Sequence, residues 1–238
     1  NNKEAKYCSQ CGAKITCDSM RPAEEVRSER RPATIIFADI SGFTSISENT
    51  DPEQLRDQLN SCFEKLVPII TSRGGEVDKF IGDEVMAVFG GSKAIENDAE
   101  SAVIAALEMC EEMKKFNQSK ALDWQLHIGI NSGLVITGLV GTRRGRDQSV
   151  IGDTVNLASR LARMAGSGEI LVGERTYRHT RKSFDYEGGG KERVKGKAKA
   201  VSVYRLVGVR EEQAGRIKRE YSAPLVGRAS QLSELKSI

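Results

Sequence analysis

Asp39 and Asp83 are the residues of this 238-residue chain whose setting points most directly to chemistry. Asp83 follows Gly82 between two β-rich runs within residues 77–89, a glycine–acid pair of the kind that closes a tight hairpin, which would hold its carboxylate at an exposed tip. Asp39 follows Ala33-Thr34-Ile35-Ile36-Phe37-Ala38, apolar and β-branched enough for a buried strand, and precedes Ser41-Gly42-Phe43-Thr44. A turn carboxylate standing alone is ordinarily only a turn residue. If the strand pairs with the hairpin, however, the two acids converge, and close carboxylates repel unless cations lie between them. Hard cations such as Mg²⁺ are held by one or two carboxylates plus substrate phosphates, so the pair predicts a two-metal site for phosphoryl or nucleotidyl chemistry.

The elements that must position these acids are legible around them. Asp51-Pro52-Glu53-Gln54 starts a helix, with Asp51 as N-cap, Pro52 at the first helical position and Gln54 placed for a capping box. Leu55, Leu59, Cys62, Phe63, Leu66 and Ile69 share one face, and Arg73-Gly74-Gly75 ends the helix. A second amphipathic helix is expected over residues 94–116, with Ala99, Ala102, Val103, Ala106, Cys110 and Met113 inward. Residues 124–130 alternate as a strand, on which His127 reads as a packed residue rather than a ligand, and 134–139 read as a second strand. Residues 141–148 form a polar, basic excursion without apolar period. A helix over 152–165 carries Asn156 and Arg160 four apart, hence on one face. Residues 169–172 make a short strand, 174–180 a short helix with His179 exposed, Gly188-Gly189-Gly190 a turn, and 201–206 a closing strand. The lysine-rich 191–199 reads as a solvated hairpin edge. The order strand, helix, two strands, helix, strand predicts an α+β fold, a ferredoxin-like split βαβ unit with a C-terminal β/α extension.

A hydrophobic content of 39% over 238 residues is enough for a real core. The net charge of +3 is close to balance, so no nucleic-acid partner follows, and the basic run lacks the interleaved aromatics of a single-strand binder. No apolar run approaches the roughly 20 residues of a membrane span, and the first residues do not form a signal peptide, which points to a cytoplasmic protein. The five cysteines do not suggest a disulfide framework. Cys8 and Cys11 form a compact Cys-x-x-Cys knuckle of the zinc-presenting kind, with Cys17 a possible third ligand, but a structural Zn²⁺ wants four. Residues 1–31 therefore divide into a cysteine-bearing leader and, over 20–31, a charged linker. Residues 209–238 read as a linker followed by Pro224-Leu225-Val226-Gly227-Arg228, similar to the entry of a P-loop ATPase module.

Three blocks together resemble the signature blocks of class III nucleotidyl cyclases, in that family's order: Phe37-Ala38-Asp39-Ile40-Ser41-Gly42-Phe43-Thr44, Lys79-Phe80-Ile81-Gly82-Asp83-Glu84, and residues 149–160 from Ser149 through Asn156 to Arg160. The similarity covers about 32–208. It implies that Asp39, Asp83 and the carbonyl of Ile40 hold two Mg²⁺ or Mn²⁺ ions, and that the main chain of Gly42, Phe43 and Thr44 donates to phosphate. By the same resemblance Asn156 orients the ribose, Arg160 stabilises the transition state, and Lys195 contacts the triphosphate. Base choice falls to Lys79 and Ser149. A lysine donates to adenine N1, and guanylyl members carry glutamate there, so ATP is favoured. Ser149 departs from the commonest adenylyl pattern, aspartate, and resembles the subgroup containing bicarbonate-stimulated soluble adenylyl cyclases. Because a hydroxyl can donate or accept, Ser149 alone is less decisive about the base. Both residue sets lie on one chain, so the resemblance implies a head-to-tail homodimer with two shared sites. A guanylyl or mixed-specificity cyclase, a catalytically silent nucleotide-binding dimerisation module, and a diguanylate cyclase (from Gly82-Asp83-Glu84, though Ile81 replaces its glycine) are the alternatives.

Overall fold

The computed structural model describes residues 29–91, 97–142, 145–192 and 200–211. Its central strand is β1 (Glu29–Ile40), in which six successive residues from Ala33 to Ala38 are buried. A strand buried on both faces needs a layer on each side, and the remaining elements supply them. They are α1 (Phe43–Asn49), α2 (Pro52–Ser72), β2 (Gly75–Ile81), β3 (Glu84–Phe89), α3 (Asp98–Lys120), β4 (Leu126–Thr142), β5 (Gly145–Ile151), α4 (Asp153–Met164), β6 (Ile170–Gly173), α5 (Glu174–Thr180), β7 (Phe184–Glu192) and β8 (Val201–Val209). The sheet order is β2-β3-β1-β4-β6-β8-β7, with β5 paired to β4. Its first four strands, in the order 2-3-1-4 with two crossover helices, are the ferredoxin-like split βαβ unit, extended by β6 to β8.

Alternate residues of the buried strands serve the two layers. Ile36, Ala38, Ala87, Phe89, Ile128 and Ile130 face α2 and α3. Ile35, Phe37, Met86 and Val88 meet Val135, Val150 and the α4 residues Ala158 and Ala162 on the other side. α2 starts as its sequence requires: Asp51 accepts from the amides of Glu53 at 3.0 Å and Gln54 at 3.1 Å. Pro32 lies in β1 where only β4 pairs with it, because the β3 ladder begins at Thr34; a strand with one neighbour tolerates a residue that cannot donate.

α4 lies against the sheet at backbone distance. A methyl group at Gly129 of β4 would fall inside the Ala158 carbonyl and the Ala162 amide nitrogen, and two bonds tie the helix start to the same strand, Asn131 Nδ2 to the Thr154 carbonyl (3.1 Å) and Thr154 Oγ1 to the Leu134 carbonyl (2.8 Å). Gly129→Ala must therefore push α4 outward. It is expected to cost about 1–3 kcal/mol, read as a lower urea midpoint; an unchanged midpoint would mean that the helix can retreat freely.

Several sequence expectations need correction. The segment read as linker up to residue 31 joins β1 from Glu29, where it pairs with Ile136 and Thr137. Residues 126–142 are one strand rather than two. The basic excursion over 141–148 is a hairpin, Thr142 opposite Gly145 and Gly138 opposite Ser149; ladder hydrogen bonds need no apolar period. Gly188-Gly189-Gly190 is not a turn but a bulge inside β7, with Gly188 and Gly189 at positive φ (94° and 95°). α3 is described from Asp98 and runs to Lys120, and the predicted residues 94–96 lie outside the described ones. Among the described residues no helix is long and apolar enough to cross a membrane.

Candidate active site

The β1–β3 ladder sets Ala38 opposite Val85, which brings the end of β1 to the tip of the β2–β3 hairpin. There Asp39 and Asp83 come close enough to perturb each other. Burial, then the Asp39 carboxyl and its charge beside it, push the Asp83 carboxyl up to about 7. Glu84, only 8% exposed, is also raised, mainly by burial and next by Asp39, while Arg163 and His127 pull it down. Three acids thus crowd one end of the sheet. Among the described residues there is no cluster of three or more His, Cys, Asp or Glu arranged to ligate a metal by themselves. Two neighbouring carboxylates fit divalent cations well, with substrate phosphates completing the shell as Mg²⁺ prefers; Asp39, Asp83 and the Ile40 carbonyl are the groups that would hold them.

His127 was missed as a member of this site. It stands opposite Asp39 in the β1–β4 register, its Nε2 donates to Asp39 Oδ2 at 3.0 Å, and its Nδ1 faces the Ala165 carbonyl at 3.3 Å. The Ile40 amide donates to the other oxygen, Oδ1, at 3.1 Å. A strand-borne histidine gives no sequence signal of this; only the cross-strand register reveals it. Outer partners that orient a ligand commonly govern metal affinity, so His127→Gln is expected to raise the Mn²⁺ concentration for half-maximal activity about 10–100-fold. An unchanged metal titration would assign His127 to packing alone.

Beyond Ile40 the chain turns through Ser41, whose amide donates to the Gln125 carbonyl at 2.8 Å. Gly42 then adopts φ 73°, ψ 12° and starts α1 at Phe43. First-turn amides have no intrahelical acceptor, so those of Phe43 and Thr44 are suited to phosphate oxygens. The Phe43 ring is held edge-on against Trp124, with centroids 6.4 Å apart.

Lys79 and Ser149, seventy residues apart, meet: Lys79 Nζ donates to Ser149 Oγ at 2.8 Å. A third residue joins them that sequence reasoning did not select. Ser149 Oγ donates to Asp78 Oδ2 at 2.9 Å, and Lys79 Nζ lies 3.2 Å from the same oxygen. Asp78 is the extra residue of a bulge in β2, since Val77 opposes Ala87 and Lys79 already opposes Met86. A bulge re-aims a side chain, and here it lets consecutive residues reach one hydroxyl. Asn156 is exposed and Arg160 half-buried on α4. Among the described residues no hydrogen bond or ion pair joins either of them to Asp39 or Asp83. Lys195, Cys8, Cys11, Cys17 and residues 212–238 lie outside the described residues.

The sequence profile described as "Adenylate and Guanylate cyclase catalytic domain" matches residues 26–208, and the chain belongs to that family. It is 35% identical over 188 residues to "Adenylate cyclase, terminal-differentiation specific" of Dictyostelium discoideum, covering 76% of this chain and 9% of that protein. Among solved structures, the adenylyl cyclase CyaB of P. aeruginosa superposes with a TM-score of 0.75 at 34% identity, covering 78% of this chain and 98% of that one. The guanylyl cyclase Cya2 gives 0.73 at 32% identity, with 77% and 95% covered. The chain spans less than half the length of the curated relatives it matches.

Proposed function

We propose that this chain is the catalytic domain of an adenylyl cyclase, forming 3′,5′-cyclic AMP and pyrophosphate from ATP in a homodimer with two shared sites. The observation that carries the reading is the β1–β3 register, which brings Asp39 to Asp83 as a paired-carboxylate seat at the tip of a hairpin. In the reaction the 3′ oxygen bonds to the α-phosphorus in line, the bond to the bridging oxygen breaks, and the hydroxyl proton is lost. Two bound Mg²⁺ or Mn²⁺ ions would supply acidity to the hydroxyl and neutralise the triphosphate. The amides of Phe43 and Thr44 donate to phosphate, Asn156 orients the ribose, Arg160 meets charge on the α-phosphoryl oxygens, and Lys195 contacts the triphosphate. Lys79 donates to adenine N1. A cytoplasmic setting suits an enzyme that consumes ATP.

Superposition alone does not choose the base, because an adenylyl and a guanylyl cyclase fit almost equally well. The test is chromatography of products after incubating the chain with ATP or GTP, in Mn²⁺ and separately in Mg²⁺. Cyclic AMP is expected. Cyclic GMP formed from GTP in excess would reverse the base assignment, and no cyclic product at concentrations that dimerise the chain would leave a silent regulatory module. Stimulation by bicarbonate is part of the same proposal on the strength of Ser149, and a flat titration at constant pH would remove it.

A further inference from the structure

Taking the adenylyl cyclase reading as its base, we infer that Asp78 is a specificity-determining residue: its buried carboxylate accepts the Ser149 hydroxyl hydrogen bond, so that Ser149 can meet the nucleobase only as an acceptor. The argument is one of counting donors. A serine hydroxyl has one proton and two lone pairs. A carboxylate accepts and does not donate, so in the 2.9 Å bond between Ser149 Oγ and Asp78 Oδ2 the proton belongs to Ser149. An ammonium group only donates, so the 2.8 Å bond from Lys79 Nζ occupies one Ser149 lone pair. One lone pair is left and no proton. Of the three Lys79 protons, one goes to Ser149 and a second faces Asp78 at 3.2 Å, which leaves one for a ligand.

The cluster therefore presents one donor and one acceptor side by side. Adenine matches this edge, with N1 accepting and its 6-amino group donating. Guanine opposes it twice, since its N1 carries hydrogen and its O6 accepts. A buried polar group left against a like partner is costly, and this is the usual source of strong discrimination between related substrates. Asp78 itself stays out of reach of the base, its side chain 7% exposed, and Ser149 is 6% exposed above it, while Lys79 is 43% exposed. Asp78 acts through Ser149 and is a positioning residue. The serine and the carboxylate beneath it together supply what a single aspartate would supply at position 149.

The test is the ratio of kcat/KM for ATP to that for GTP. Asparagine offers an amide donor to Ser149 and lets the hydroxyl turn its proton outward, so Asp78→Asn is expected to reduce the ATP preference about tenfold or more. Adding Ser149→Asp to Asp78→Asn restores an obligate acceptor and should return the preference toward its starting value, although the pair leaves Asp78 itself absent. A purely structural Asp78 would depress both nucleotides alike and would not be rescued; that outcome overturns the proposal. If Asp78→Asn does not fold, as judged by its melting curve, Ser149→Ala decides, because it removes the hydroxyl whose polarity is at issue, and undiminished discrimination there is equally fatal. If the unaltered chain forms no cyclic nucleotide, the cyclase reading fails separately. Relative binding of unreactive ATP and GTP analogues to the same variants then decides the role of Asp78.

Discussion

Asp83→Ala lowers cyclic nucleotide formation at least about a hundredfold, because it removes one of the two carboxylates that seat the cations and leaves phosphate charge unneutralised. The fold should survive, since Asp83 sits at a hairpin tip between β2 and β3 and no core residue packs through it. Unaltered circular dichroism and melting would therefore accompany the loss. The same site sets a pH dependence with a definite sign. A carboxyl raised to about 7 is only partly ionised at neutral pH, and a cation competes with the remaining proton. The Mn²⁺ concentration for half-maximal rate should fall as pH rises from about 6 to 8 and level off above that. In Asp39→Ala, where burial still raises Asp83 but the neighbouring Asp39 carboxyl no longer does, the pH dependence of any residual metal binding should shift to lower pH. Activity that survives Asp83→Ala would place the cations elsewhere.

Arg160→Ala should also cost about a hundredfold, the usual consequence of deleting one preorganised donor to transition-state charge. Its more telling use is in combination. In the proposed dimer each centre would take its acids from one chain and Arg160 from the other. An Asp39→Ala chain mixed with an Arg160→Ala chain then forms heterodimers with one doubly damaged centre and one intact centre. With equal amounts and random exchange, half the dimers are mixed and half their centres work, so activity should recover to about a quarter of the unaltered level. Mixtures that stay inactive under exchange would place the whole site within one subunit, whereas a single-variant chain active on its own would show that the substituted residue is dispensable.

Much of this arrangement was legible in the chain, and the reasons differ by element. The Gly82-Asp83 hairpin, the Asp51 cap and α5 over Glu174–Thr180 carry local signals, and each stands where those signals put it. The two buried strands β1 and β3 announce themselves by uninterrupted apolar residues. The β4–β5 hairpin has no such pattern in residues 141–148, and β7, at the sheet edge with most of its residues exposed, has little more. The glycine triplet misled for a specific reason: positive φ serves a bulge as readily as a turn. Asp39, Asp83, Lys79 and Ser149 could be selected because they fall in contiguous motifs. His127 and Asp78 could not, since each owes its position to register, one across a ladder and the other at an irregularity in pairing.

The length of β4 has a consequence for how such a dimer is governed. Near its start His127 bonds to the acid of one centre, and eleven residues later Gly138 pairs with Ser149, which in the proposed dimer would serve the other centre. The strand is unbroken between them, paired with β1 from Leu126 to Thr137 and with β6 from Ile128 to Ile130. It is a single beam resting on two machines. In the proposed dimer, a displacement of the β4–β5 hairpin would shift the base-reading end of one centre and load the acid-holding end of its twin, so the two centres should switch as a pair.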